Sequence, residues 1–400
     1  MLEIAFWTGV SVVFYAYLGY GMVLYCWLKL HPRKPALSVA SAALSVTSAA
    51  AYQPEVTFIV CAYNEADWIE KKITNTLALD YPSNKIHFFF VTDGSNDGTP
   101  DLVQQYAFPS GVQWKLLHQP ERRGKIAAFQ RAMRSVETPL VISTDANTLV
   151  NREAVKMLVK HFYNPEVGAV AGEKRISMGE RDNASSAGEG IYWRYESTLK
   201  RWDAELWSVV GAAGELFAFR RAAYEDVPTD TIVEDFYMTM RIAQKGYRVQ
   251  YEPKAYAVES SSASVSEELK RKIRIAAGGW QAVVRLAPLL NIFRYRLLSF
   301  QYISHRVLRW TLAPALLPVI FASNLLLALK GSTLYQVIFA LQCLFYTCAL
   351  VGFILEQRQL KVKALFVPYY FCMMNYAQYA GFFRFIRGQQ SVLWERVQRA

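Results

Sequence analysis

The stretch "VTFIVCAYNEADWIEKKITNTLALDYPSNKIHFFFVTD", residues 56–93, holds two apolar runs on either side of an amphipathic one. "VTFIVCAY" and "IHFFFVTDG" are short, rich in Val, Ile and Phe, and close on polar residues, as strands do. "ADWIEKKITNTLAL" between them reads as a helix. Strand, helix and strand in this order predict a βαβ unit with parallel strands. Runs such as "FFFV" fit strands buried on both faces. The alternation continues through helix "GTPDLVQQYA", strand "VQWKLLHQ", helix "GKIAAFQRAMRSV" and strand "PLVISTD". The expected class is α/β with a mostly parallel sheet.

Outward from this region the composition changes. Apolar residues make up 53% of the 400 and are unevenly spread. From Ile4 to Leu28 no residue is charged, enough helix to exceed the roughly 30 Å hydrocarbon core of a bilayer. Glu3 is the only early charge and a basic n-region is missing, so residues 1–30 read as a retained transmembrane helix. Lys29, Arg33 and Lys34 place its carboxyl end on the cytoplasmic side. Residues 31–53 read as a linker and 54–284 as the α/β domain. Residues 285–310 mix five arginines with Leu, Phe, Tyr and Trp, which predicts an amphipathic helix in the bilayer interface. Residues 311–400 read as a membrane region with spans at 311–329 and 333–355. A further apolar stretch, about 364–385, carries Asn375 and Gln378 in mid-segment. Whether it crosses, tilts in the interface or lines a cavity stays open.

The net charge of +11 suits membrane-flanking Lys and Arg and a site for an anionic substrate. The basic residues sit beside apolar segments and form no separate stripe, so nucleic acid is not an expected partner. The five cysteines show no C-x-x-C spacing, so neither a disulfide nor a zinc framework is expected.

Ligands of open parallel sheets bind outside the carboxyl ends of the strands. Three strands end in candidate groups: Tyr63, Asn64 and Glu65 after the first, Asp93 after the second, Asp145 and Asn147 after the fourth. A lone strand-end Asp is commonly a turn or cap residue, the role expected of Asp97 in "SNDGT". Three such ends in consecutive units point instead to one shared ligand. Glycine-rich phosphate cradles are missing, so a diphosphate would be held through a divalent metal, Mg2+ or Mn2+, with hard oxygen ligands. Asp145 and Asn147 supply two such oxygens, the amide adding no charge. Lys125 in "RRGK" is a candidate contact to phosphate or base. Glu234 and Asp235 open a helix, where carboxylates commonly serve the helix dipole, and where one aimed into the crevice could act as a general base. "EELKRKIRIAAGGWQ" offers Arg274, able to stabilise a departing diphosphate, and Trp280.

The order AYNE, DGSNDGT, RGK, TDAN and VEDF, then K-x-x-x-R before membrane helices, resembles the membrane-bound glycosyltransferase family 2. That family includes hyaluronan, cellulose, chitin and poly-N-acetylglucosamine synthases. The resemblance implies a GT-A-type, Rossmann-like domain using a nucleotide sugar, most often a UDP-sugar, with inversion at the anomeric carbon. By position, Tyr63, Glu65, Asp93 and Lys125 would contact the nucleotide. Asp145 would bind the metal-diphosphate with Asn147 beside it, and Asp235 would be the general base, next to Glu234. Gly211 and Gly214 in "GAAGELFAFRR" match the segment lining the acceptor side. Processive members carry Q-x-x-R-W near the membrane. Here "RKIRI" keeps Arg274 but has Arg271 and Ile275 at the ends, which leaves processivity open. Trp280 is either a substitute sugar platform or a core residue.

The resulting reading is an inverting, metal-dependent transferase in the cell inner (cytoplasmic) membrane, multi-pass, with its catalytic domain cytoplasmic. It would extend a polysaccharide or a lipid-linked acceptor, with an accessory membrane or export protein as a further candidate partner. Two rivals stand beside it: a non-processive transferase acting on a lipid carrier, and a non-catalytic nucleotide-sugar-binding subunit of an export system.

Overall fold

The computed structural model describes residues 1–31, 52–177, 184–260, 265–358, 362–389 and 391. The expected linker lies almost wholly outside the described residues. The chain opens with α1 (Leu2–Leu30), which contains a π turn at Tyr15–Gly19. Then follow β1 (Val56–Ala62), α2 (Ala66–Leu77), β2 (Ile86–Asp93), α3 (Thr99–Gln105), β3 (Gln113–Gln119) and α4 (Lys125–Met133). The next elements are β4 (Leu140–Asp145), β5 (Thr148–Val150), α5 (Ala154–Val159), β6 (Val167–Ser177), α6 (Ala184–Leu206) and β7 (Leu216–Arg220). After them come α7 (Glu234–Gln244), β8 (Arg248–Ser260), α8 (Val265–Arg285), α9 (Leu312–Leu329), α10 (Thr333–Gln357) and α11 (Lys363–Ile386). Two units result. One holds the sheet and the helices packed on it; the other holds α1, the first part of α6, and the chain from α8 onward.

In the sheet unit the strand order is β3-β2-β1-β4-β7-β6-β8-β5. The β1–β2, β2–β3, β1–β4 and β6–β8 pairs are parallel, and the pairs made by β7 and β5 are antiparallel. The expected α/β class holds, as a mixed sheet that is mostly parallel. β1 is buried along its whole length, as its continuous apolar run requires. The chain moves from β1 out to β2 and β3, then returns to the other side of β1 as β4. That reversal opens a crevice at the carboxyl ends of β1 and β4, where ligands of such sheets bind. Helix α2 covers the sheet with Ile69, Lys72, Ile73 and Thr76, a stripe at helical spacing that contains one lysine.

In the helical unit, α1, α9 and α10 are long and apolar enough to cross a membrane. Phe6 of α1 packs with Ile320 and Leu327 of α9 and Tyr335 of α10. Polar groups on these helices turn toward one another, since lipid offers them no partner. Asn324 Nδ2 donates to Gln342 Oε1 at 2.6 Å, joining α9 to α10. On α11, buried Asn375 accepts from the Tyr17 hydroxyl at 2.9 Å.

The single interface helix expected over 285–310 is replaced by short pieces. A 3-10 turn at Ala287–Leu290 contains Pro288, and Asn291 caps Ile292–Tyr295 by accepting from the Phe293 and Arg294 amides at 3.1 Å. Arg296, at φ 48°, breaks the chain before Leu297–Tyr302, and a π turn follows at Ile303–Val307. Pro, an Asn that bonds local amides and a positive φ each end a helix, so periodicity alone misleads here. Two of the five arginines also face inward: Arg306 lies 2.5 Å and Arg309 3.4 Å from buried Glu196 on α6, with His305 at 3.3 Å. Arg309 Nε donates to the Ala16 carbonyl in the π turn of α1 at 2.7 Å. Burial opposes the charge of Glu196, yet Arg306, His305 and Arg309 hold its carboxyl well below the usual range.

Removing one partner of a buried ion cluster costs about 3–5 kcal/mol. Glu196→Gln is therefore expected to lower the melting temperature of the detergent-solubilised protein by several degrees. An unchanged melting temperature would show that the cluster contributes nothing to the helical unit.

Candidate active site

At the end of β1 the chain turns through Tyr63 and Asn64, the latter at φ 52°. Asn64 and Asn96 exchange hydrogen bonds of 3.0 and 2.9 Å, joining the loops after β1 and β2. Asp97 completes the tie. It accepts from the Ala66 amide at 3.0 Å and from the Thr99 amide at 3.1 Å, the local capping role expected of it. The Arg122 guanidinium stacks 3.8 Å over the Tyr63 ring.

Asp93 is wholly buried, and its carboxylate accepts from the Arg123 amide at 3.0 Å and the Gly124 amide at 2.7 Å. It shapes the loop that launches α4, whose first residue is Lys125. The structure thus places Asp93 as a support of the loop.

Lys125 Nζ lies 2.8 Å from Asp145 Oδ1 and 2.8 Å from Glu234 Oε1, bridging the end of β4 to the start of α7. Burial works against its charge, but Asp145 and Glu234 outweigh it and raise the lysine well above its ordinary range. Asp235 follows Glu234 in the first turn of α7. Burial, then the neighbouring Glu234, push Asp235 up to about 7 against the pull of Lys125. Burial also raises Asp145, Lys125 opposes it, and Glu215 adds to the rise.

Two glycines make room for this cluster. A Cβ on Gly214 would stand 3.2 Å from Asp235 Oδ2 and 3.4 Å from Lys125 Nζ. Gly211, at φ 85°, lets the chain pass the Phe236 ring, which would lie 2.1 Å from any Cβ there. The Thr239 hydroxyl on α7 accepts from the Ala212 amide at 3.1 Å and fixes that segment to the helix.

Asn147 completes the crevice wall. Its Nδ2 donates to Glu65 Oε1 at 3.2 Å, while its Oδ1 is buried with no hydrogen-bond partner among the described residues. A buried carbonyl oxygen without a donor is costly, and a cation would satisfy it. Among the described residues, no three His, Cys, Asp or Glu side chains cluster to hold a metal ion. Asp145 and Asn147 with water and phosphate oxygens form the set that Mg2+ or Mn2+ takes.

Residues 57–228 match the profile described as Glycosyl transferase family 2. These residues thus carry a glycosyl transferase family 2 domain. The chain is 30% identical over 237 residues to the poly-β-1,6-N-acetyl-D-glucosamine synthase of Staphylococcus aureus, a match spanning 58% of this chain and 56% of that protein. The synthase of the same name from Staphylococcus epidermidis is 26% identical over 272 residues, 66% of this chain and 62% of that protein. Among solved structures, the mannosyltransferase PcManGT from Pyrobaculum calidifontis superposes with a TM-score of 0.72 at 25% identity, covering 97% of this chain and 100% of that one. The fold is thus GT-A with membrane helices. The chain spans little more than half the length of the curated relatives it matches.

Tyr63, Glu65, Asp93, Lys125, Asp145, Asn147, Gly211 and Gly214 lie within the matched residues and Glu234 and Asp235 just beyond them, and all ten belong to the sheet unit. Arg274 and Trp280 belong to the helical unit, on α8. There Trp280, half-buried, packs against Phe382 at 4.7 Å between ring centroids. Arg271 is engaged locally, Nε to Glu268 Oε2 at 3.0 Å. Sequence reasoning passed over Glu215 and Lys174. Thr144 pairs with Leu216, which sets Glu215 beside the end of β4. Lys174, almost wholly buried, pairs with Glu215 at 2.5 Å and with Glu259. The signal for Glu215 was its place directly after Gly214; Lys174 left none.

Asp235 takes up its proton as pH falls through about 7. Carbodiimide, which attacks protonated carboxyls, is expected to label Asp235 below that pH and progressively less above it, read by peptide mass spectrometry. Labelling that titrates in the ordinary carboxylate range would remove the claim of a raised Asp235.

Proposed function

We propose that this chain is an inverting glycosyltransferase of the cytoplasmic membrane that takes a sugar from a UDP-sugar and adds it to a saccharide or lipid-linked acceptor. One observation carries the reading: Asp145, the unpartnered Asn147 oxygen, Lys125 and Asp235 meet in one crevice at the β1/β4 reversal. The curated relatives at 26–30% identity are named as poly-β-1,6-N-acetyl-D-glucosamine synthases, which favours UDP-N-acetylglucosamine and a polysaccharide product.

In this reaction Asp235 accepts the proton of an acceptor hydroxyl. The acceptor oxygen forms its bond to the anomeric carbon as the bond from that carbon to the diphosphate oxygen breaks. The nucleoside diphosphate leaves with the electron pair, and one displacement inverts the centre. A base near neutrality suits this task, and the glycine at 214 leaves Asp235 accessible. Lys125 moves from its carboxylate bridge to the incoming phosphates as a point charge. Asp145 and Asn147 would hold Mg2+ or Mn2+, whose chemistry is to neutralise charge developing on the leaving diphosphate. The Tyr63 ring and the Arg122 guanidinium offer flat faces to the base. Lys29 in the last turn of α1, with Arg33 and Lys34 shortly after it in sequence, favours a cytoplasmic catalytic domain, where nucleotide sugars are made.

A second donor reading has its own support. PcManGT, similar over nearly the whole chain, was solved in complex with GDP-Man and Mn2+, which favours GDP-mannose as the donor. A non-catalytic subunit is disfavoured by the intact Asp145, Glu234 and Asp235.

The test is sugar transfer by purified membranes given a panel of UDP- and GDP-sugars with Mn2+ or Mg2+, with the product sized. Transfer from a UDP-sugar is expected, abolished by chelation, restored by the metal, and reduced at least about a hundredfold in Asp235→Asn. Full activity of Asp235→Asn would remove the base assignment, and transfer from GDP-mannose alone would replace the donor.

A further inference from the structure

The buried stripe of α2 contains a group that the reaction does not use. Lys72 is wholly buried between Ile69, Ile73 and the sheet, with the Phe58 ring 6.0 Å from its ammonium. A Leu or Met would complete the same stripe without desolvating a charge, so packing does not account for it. Its hydrogen bonds go to one place. Nζ donates to Thr144 Oγ1 at 3.0 Å and to the Thr148 carbonyl at 2.8 Å. Those two residues bracket the turn that presents Asp145 and Asn147. The turn closes on itself too: the Thr148 hydroxyl donates to the Asp145 carbonyl at 3.0 Å.

One turn along α2, Asn75 grips the chain just beyond. Its Nδ2 donates to the Val150 carbonyl and its Oδ1 accepts from the Val150 amide, both at 2.8 Å. Spacing i, i+3 puts Lys72 and Asn75 on one side of the helix. Together they tie residues 144, 148 and 150 to a rigid element. Burial lowers Lys72 to about 7, and Asp145 is the group that favours its charged form. The ammonium is thus electrostatically linked to the carboxylate above it.

We propose that Lys72 and Asn75 are positioning residues that clamp the 144–150 turn, so that the Asp145 carboxylate and the Asn147 carbonyl oxygen meet a divalent cation in fixed geometry. The clamp rests on the proposed function in one respect, that this turn holds a cation with a nucleoside diphosphate. Residues that orient a metal's ligands typically change its affinity 10- to 100-fold when removed. A merely structural role would lower stability and leave that affinity alone.

The test uses the full chain in detergent or nanodiscs, with Mn2+ binding followed by electron paramagnetic resonance in the presence of saturating UDP or GDP. Lys72→Met keeps the length and apolar stem of the side chain while removing the charge and both hydrogen bonds. Asn75→Ala removes the second grip at a half-buried position outside the core. The expected result is a half-saturating Mn2+ concentration raised about tenfold or more in each variant. Thermal unfolding of the same samples separates this from loss of fold, and Asn75→Ala decides alone if Lys72→Met does not fold. Mn2+ affinity within about twofold of wild type in folded variants overturns the clamp and leaves the proposed function standing. A wild-type chain that binds no Mn2+ with either nucleotide overturns both.

Discussion

Four carboxylates, those of Asp145, Glu215, Glu234 and Asp235, are gathered where β4, β7 and the amino end of α7 converge, and Lys125 holds two of them together. Like charges in a partly dry crevice repel strongly, so the arrangement needs compensating cations at fixed places. Much of the sheet unit serves that need. Asp93 fixes the loop from which Lys125 springs, and Lys174 lies buried against Glu215 and Glu259. Gly214 leaves the space in which the Lys125 ammonium and the Asp235 carboxylate come together.

The helical unit meets a related constraint by a different route. Several of its polar side chains are paired inside: Asn324 with Gln342, Asn375 with Tyr17, and Arg306, Arg309 and His305 around Glu196. Charge and amide groups in such surroundings are stable only when bonded to protein. The arginines of the 285–310 stretch therefore divide. Arg294 and Arg296 are exposed, while Arg306 and Arg309 hold the α6 carboxylate.

What the sequence disclosed follows the range of the interactions. Parallel strands, their order of appearance and the polar groups at their ends are written in local runs, and β1, β2 and β4 lie where those runs stand. The meeting of Asp145 and Asp235 was legible through motif order. Pairings between distant segments were not. Helical spacing puts Lys72, unlike its neighbour Lys71, in the buried stripe, but nothing local shows that its ammonium meets the 144–148 turn. Asp93 ends a strand, and its oxygens also accept from the amides of Arg123 and Gly124, about thirty residues away in sequence, a tie that nothing local announces. The stretch 285–310 has helical periodicity throughout, and its breaks come from Pro288, Asn291 and Arg296.

The account depends most on the crevice at the β1/β4 reversal being the seat of a nucleoside diphosphate, with Lys125 as the cation that yields to it. A structure of the full chain with UDP and Mn2+ tests this directly. The account predicts the diphosphate between Asp145 and Lys125, the cation against Asp145 and the Asn147 carbonyl oxygen, and Lys125 Nζ withdrawn from Glu234. Nucleotide bound elsewhere, with Lys125 still bridging Asp145 and Glu234, would contradict it.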